Sequence, residues 1–226
     1  MRDKYVIIVA GGKGLRMGMD IPKQFLLING KPVLMHTIEV FYNFDSSIRI
    51  VLVLPKEQQG YWKSLCQKYE FNLSHEIACG GDTRFHSVKN GLEFVKSESM
   101  VAIHDGVRPL VDKVVISKAF EAAEIHKAAY PVIPVIDTLR KRSTDGRSKM
   151  VNRSDYCLVQ TPQVFLSKVI LSAYSMEYSD KFTDDISVVE ARRNCKPVMI
   201  EGSRENIKIT TPVDLAVAEA LLKCRI

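Results

Sequence analysis

The residues best placed to do chemistry lie in Val9-Ala10-Gly11-Gly12-Lys13-Gly14-Leu15-Arg16-Met17-Gly18 and, just beyond, in Pro22-Lys23-Gln24. Four glycines within eight residues let the backbone turn sharply and come close to a ligand. A run of exposed backbone N–H groups is a ready anion site, and Arg16 and Lys23 add two cations. The chemistry this suits is the binding of a polyphosphate. It is not a Walker A loop, because no glycine precedes a Lys-Ser or Lys-Thr pair. Gly12-Lys13-Gly14 opens a dinucleotide fingerprint, but Met17 stands where its last glycine should be. The second strand ends at Leu54-Pro55 with no acidic residue to hold a ribose. What remains is a glycine-rich loop completed by basic side chains; the plainer alternative is a tight strand-to-helix turn.

Three further clusters follow the same logic: Cys79-Gly80-Gly81-Asp82-Thr83-Arg84, Asp105-Gly106-Val107-Arg108-Pro109, and Ile136-Asp137-Thr138. Each follows an apolar run. Residues 5–10, 48–54, 75–78, 100–104 and 130–135 read as buried strands. Helical spacing is expected from about 32 to 42, 56 to 70, 84 to 96 and 113 to 127, with Pro32 in a first turn. This alternation predicts an α/β fold with a parallel sheet, helices on both faces and right-handed crossovers. Ligands in such sheets bind beyond the carboxyl ends of the strands, where all four clusters fall.

Residues 139–155 break the pattern. An Asp145-Gly146 turn between short polar segments predicts a β-hairpin, either a solvated loop or an arm packed on a partner subunit. Beyond it, strand is expected at 156–160 and 196–201. Helices are expected at 167–177, at 184–193 with Thr183 as N-cap, and from Pro212 onward.

The chain of 226 residues fits one large α/β domain or two small ones. No linker divides it, so residues 1–226 are read as one domain carrying an arm. A net charge of +6 suits anionic small molecules as well as nucleic acid. The basic arm lacks the interleaved aromatics of a nucleic-acid surface, apart from Tyr156 at its edge. Met1-Arg2-Asp3-Lys4 leads straight into a strand, so no signal peptide is expected, and no run is apolar enough to span a membrane. Five scattered cysteines without C-x-x-C spacing predict reduced thiols in the cytoplasm.

Four motifs line up in order: A-G-G-x-G-x-R-M with P-K-Q, G-G-x-x-R-x-x-S-V, H-D-x-x-R-P and N-I-K-I-T. In this the chain resembles, over residues 4–223, the cytidylyltransferases that couple CTP to a polyol phosphate. Within them it resembles most the 2-C-methyl-D-erythritol 4-phosphate branch of isoprenoid synthesis; the alternative is the ribitol 5-phosphate branch, and an RNA-binding module ranks low. The resemblance implies a Rossmann-like homodimer joined by the arm, with Mg²⁺ bridging the nucleotide phosphates and neither nucleic acid nor membrane as partner. It also implies residue roles. Arg16 and Lys23 stabilise the transition state. Lys208 and Arg153, the latter from the other subunit's arm, hold the attacking phosphate. Ala10, Gly11, Gly12 and Gly14 hold the nucleotide, and Gly80, Gly81, Asp82 and Ser87 face cytosine and ribose, with Gly106 beside them. Asp105 is the carboxylate on the metal side. Arg108, Thr138, Thr161 and Thr183 surround the polyol and its phosphate, with Asp137 close by.

A phosphate dianion is already a nucleophile, so no general base is needed. His104 is read as structural, and His36, His75, His86 and His126 lack metal-ligand spacing. Two departures stand out. Gly106 replaces the family's usual alanine, which should loosen its loop, and Val107 resembles the ribitol-type variant. Asp185 shortens the usual T-D-E, while Ser87-Val88 and Thr183-Asp184-Asp185 favour methylerythritol phosphate.

Overall fold

The structure, a computed structural model, describes residues 2–12 and 21–224. Strand β1 (Lys4–Val9) lies between β4 (Arg49–Leu54) and β6 (Met100–Asp105), parallel to both, and β5 (Glu76–Cys79) pairs parallel to β4. Helices α1 (Val33–Phe44), α2 (Lys56–Lys68) and α3 (Arg84–Leu92) make the crossovers. The chain thus leaves β1 toward one sheet edge and returns to its other side at β6. That reversal is the crevice where such sheets bind ligands.

Strand residues alternate between two buried faces, which is why their sequences are apolar throughout. Val6, Ile8, Ile50, Leu52 and Leu54 pack with Leu34, Ile38 and Phe41 of α1 and Trp62 of α2. Tyr5, Ile7, Val51 and Val53 pack with Phe85, Val88 and Leu92 of α3. Helix α4 (Lys113–His126) covers the first face, and α5 (Ser167–Tyr174) and α6 (Asp185–Arg192) cover the second.

The second half departs from the parallel expectation. Strand β7 (Ala128–Pro134) does not pair with β6; β11 (Gln163–Leu166), absent from the sequence reading, lies antiparallel between them. Its short apolar run merges into α5 and gives no signal of its own. Strand β10 (Cys157–Val159) is antiparallel to β7, and β12 (Val198–Glu201) is parallel to it. The sheet remains mostly parallel with helices on both faces. Pro32 ends a small hairpin, β2 (Leu27–Ile28) and β3 (Lys31–Pro32), and is the N-cap of α1 rather than in its first turn. Asn29 and Gly30 at the tip both take positive φ. The expected hairpin forms as β8 (Arg140–Arg142) and β9 (Ser148–Met150), with Gly146 at positive φ. Helix α7 (Pro212–Lys223) starts from a Thr211–Asp214 capping box. Among the described residues no helix is long and apolar enough to cross a membrane.

Leu52 is fully buried in interior strand β4. Leu52→Ala should lower stability by about 3 kcal/mol, seen as a lower urea midpoint at unchanged slope.

Candidate active site

A cavity of about 760 Å³ opens at the carboxyl ends of β1, β5 and β6. Its first wall is the β1 exit, Ala10, Gly11 and Gly12, held by Ala10 N–H donating to the Val53 carbonyl at 3.0 Å. Lys23 faces the same cavity from a 3-10 turn, Lys23–Phe25. The next residue, Gln24, is fully buried. Its amide nitrogen donates to the Ala10 carbonyl at 2.8 Å and to Gln58 Oε1 at 2.7 Å. Phe25 stacks on Trp62, so the turn that carries Lys23 rests on the core. Gly14 and Arg16 lie outside the described residues.

Gly80, Gly81 and Asp82 form the second wall. Gly81 N–H donates to Ser87 Oγ at 3.0 Å, and a Cβ on Gly81 would run into His86. Ser87 is buried between the two glycine loops, 3.8 Å from where a Cβ on Gly11 would stand. Thr83 caps α3 through its side chain.

Asp105 ends β6 on the third wall. Its Oδ2 accepts from Lys208 Nζ at 3.0 Å and from Arg108 Nε at 3.2 Å. Burial alone would raise its pKa; the cations of Lys208, Arg84 and Arg108 outweigh burial and hold it well below the usual carboxylate range. Arg108 Nη1 also donates to the Asn206 carbonyl at 2.6 Å. Arg108 therefore stands behind Asp105 rather than on the cavity wall, whereas Lys208 reaches the wall.

His104 is fully buried behind Asp105. Its Nε2 lies 3.0 Å from the Arg108 carbonyl, which can only accept, so Nε2 carries the proton. Its Nδ1 then accepts from Thr161 Oγ1 at 3.0 Å, and that oxygen accepts from Asp105 N–H at 3.1 Å. Burial pushes the imidazole down to about 4, so it stays neutral among the cations. Thr161, expected around the polyol, is thus buried in this relay.

Gly106 does not loosen its loop. Its N–H donates to the Val9 carbonyl at 2.9 Å, and its carbonyl accepts from Thr37 Oγ1 at 3.1 Å. A Cβ there would stand 2.9 Å from that of Ala10, so the missing side chain permits close contact between the β1 and β6 exits. Thr183 is exposed and is not the cap of α6; Asp184 caps it in a box with Ser187. Asp137, Thr138 and Arg153 are exposed at the root of the arm, where Arg153 Nη1 donates to the Ile136 carbonyl. None of these four residues lines the cavity within one chain.

The sequence reading passed over Arg84. It lines the cavity and grips fully buried Asp185 with both Nη atoms, at 2.8 and 2.6 Å. Tyr174 donates its hydroxyl to the same carboxylate at 2.6 Å; burial, then the Asp185 charge, push that hydroxyl's pKa up and keep it a donor. The shortened acid therefore ties the second wall to α6. Arg84 was visible as the arginine of G-G-x-x-R, but its partner lies 101 positions away. No group of three His, Cys, Asp or Glu that could hold a metal occurs among the described residues; Asp82 and Glu57 line the cavity with Asp105 but do not cluster with it as such a group.

The whole chain is similar to known proteins. The family model described as 2-C-methyl-D-erythritol 4-phosphate cytidylyltransferase (IspD) matches residues 5–224. A protein of that name from Azobacteroides pseudotrichonymphae is 59% identical over 98% of this chain and 100% of its own length. Another from Phocaeicola vulgatus is 60% identical over 97% and 100%. Two crystal structures are similar throughout. One is the 4-diphosphocytidyl-2C-methyl-D-erythritol synthase of Anaerococcus prevotii, with TM-score 0.82, 29% identity and coverage of 98% of this chain and 96% of that one. The other is the 2-C-methyl-D-erythritol 4-phosphate cytidylyltransferase of Thermus thermophilus, with TM-score 0.79, 30% identity and coverage of 99% and 100%.

Because the His104 pKa falls from 6.5 to about 4 on folding, the unfolded chain binds more protons between those values. Stability should therefore drop by up to about 3 kcal/mol as pH falls from 6.5 to 4, and His104→Gln should flatten that slope in urea titrations. Asp105, whose pKa is depressed, contributes its own loss only below 3.8.

Proposed function

This chain belongs to the 2-C-methyl-D-erythritol 4-phosphate cytidylyltransferase family, and from that premise we propose how its own residues carry the reaction. The enzyme transfers CMP from CTP to 2-C-methyl-D-erythritol 4-phosphate, giving CDP-methylerythritol and pyrophosphate in isoprenoid biosynthesis. The observation that carries the residue assignment is the single cavity shared by both glycine loops, Lys23, Asp105 and Lys208.

The substrate phosphate attacks the α-phosphorus of CTP; the bond to the pyrophosphate oxygen breaks and its electrons leave with pyrophosphate. Two anions must meet, and charge grows on the α-phosphoryl and leaving oxygens, so fixed cations are the remedy. Lys23 and Arg16 take that role. Backbone groups of Ala10, Gly11, Gly12 and Gly14 hold the phosphates. Gly80, Gly81, Asp82 and Ser87 take the base and ribose, with Gly106 fixing the loop beside them. Lys208 holds the attacking phosphate, with Arg108 steadied behind it, Thr138 and Thr183 toward the polyol, and Thr161 acting only through the His104 relay.

Asp105 would hold Mg²⁺ brought by the nucleotide, because magnesium is held by one or two carboxylates plus substrate phosphates. Bound there, the ion would neutralise phosphate charge. A homodimer is supported by exposed apolar side chains along the arm and the β10 edge: Met150, Tyr156, Leu158 and Val159. In that dimer Arg153 reaches the other subunit's cavity. Five free cysteines suit a reducing cytoplasm. The ribitol alternative is not favoured, since the similar proteins carry the methylerythritol name.

Pyrophosphate release with CTP and Mg²⁺ should be strong with methylerythritol 4-phosphate and weak with ribitol 5-phosphate; the reverse would mean that the polyol pocket is shaped for ribitol phosphate. Lys23→Ala should lower kcat about 10²- to 10³-fold with an unchanged circular dichroism spectrum. The double variant Tyr156→Asp/Leu158→Asp should sediment as a monomer; a dimer would remove the arm from the interface.

A further inference from the structure

We propose that Gln160 is a positioning residue for the polyol-phosphate side of the site, fixing where Lys208 and Arg108 present their charges. The inference rests on the function proposed above and names a residue to which that function assigns no role. Lys208 lies in a segment, 202–210, with no strand or helix between β12 and α7. No strand or helix sets its place; Ile209 N–H donating to the Val107 carbonyl at 2.9 Å fixes its far end, and the turn before Lys208 is left to side chains.

Gln160 does this from the end of β10. It is almost wholly buried, and its own N–H is anchored on the Pro131 carbonyl at 2.8 Å. Its amide nitrogen donates to the Ser203 carbonyl at 2.8 Å and to that of Asn206 at 3.4 Å. Its amide oxygen accepts from Ser203 N–H at 3.2 Å and from Asn206 Nδ2 at 3.3 Å. One side chain thus grips the segment at both ends of its turn. Asn206 passes the constraint on: its carbonyl takes Arg108 Nη1 at 2.6 Å, and its Nδ2 donates to the Thr161 carbonyl at 2.8 Å. Lys208, two residues later, meets the Asp105 oxygen that Arg108 also holds. Gly202 leaves the room: a Cβ there would stand 2.5 Å from Gln160 Oε1.

Only a neutral amide offers two donors and an acceptor at one tip. Glutamate would set a carboxylate against the Ser203 and Asn206 carbonyls, and methionine would fill the space without any of the four bonds.

The test measures Gln160→Met and Gln160→Glu with methylerythritol 4-phosphate and CTP. We expect kcat/KM for the polyol phosphate to fall about 10-fold or more, with the Kd of CTP alone within about twofold of wild type. In a Lys208→Ala background the same substitutions should add little, because both act through one cation. Equal losses for both substrates, or effects that add to Lys208→Ala, would overturn the proposal. Should Gln160→Met not fold, Gly202→Ala displaces the amide without altering it and should give the same split; unchanged kinetics in that variant would count against the idea. If wild type released no pyrophosphate with either polyol phosphate, the function reading would fail by itself. The crystal structure of Gln160→Glu would then decide: loss of the Arg108–Asn206 contact supports the positioning role, and its retention refutes it.

Discussion

The carboxylate of Asp105 is the charge on which the site depends. Lys208 and Arg108 converge on one of its oxygens, with Arg84 near enough to add to the same field. Without an anion there, three cations would repel one another before any substrate arrived. The surroundings are arranged to match. His104, next in sequence and buried, is kept neutral, so it adds no fourth positive charge. A cavity prepared in this way holds its cations close together and gains most from a ligand that brings several negative charges.

The two halves of the cavity are built by different means. The glycine walls are mostly backbone: Gly106 lies against Ala10, Gly80 against Pro55 and Gly81 against His86, because side chains are missing there. The wall around Asp105 and Lys208 is mostly side chains on irregular loops, joined by amides and ion pairs over long sequence distances. Gln163 is built into the same network, since its oxygen accepts from the N–H groups of Asp185 and Ile186 and its nitrogen donates to Asp184. Backbone recognition suits a nucleotide with fixed donors and acceptors; side-chain recognition is easier to retune for another polyol.

This contrast also explains what could be seen in the sequence. Glycine clusters after apolar runs are local signals, so Ala10–Gly12, Gly80–Asp82 and Asp105 were placed on the right strand ends, and Lys23 and Lys208 came with their motifs. Long-range partners leave no local trace. The Arg84–Asp185 pair, the Gln24 bridge from Ala10 to Gln58 and the Gln160 clasp depend on contacts between segments that only folding joins. Gly106 was misjudged for a related reason: a glycine reads as slack until its neighbour, Ala10, is seen pressed against it. In the fold, the parallel half was legible from β1 to β6, whereas the four residues of β11 were too few to show a period.

That short strand has a consequence for how the chain is made. Strands β5, β4, β1 and β6 pair among themselves, so within the first 105 residues only the β6 edge that faces β11 waits for a later partner. Strand β7 pairs with β10, β11 and β12 but not with β6. On a ribosome, the leading half can assemble while the rest is still being translated. The trailing half must wait for residues 163–166 to clear the exit tunnel before it can be stitched on. Until then β6 offers an unpaired edge, and the fully apolar Val101-Ala102-Ile103 stretch along it is where a nascent chain is most open to chaperones or to wrong neighbours.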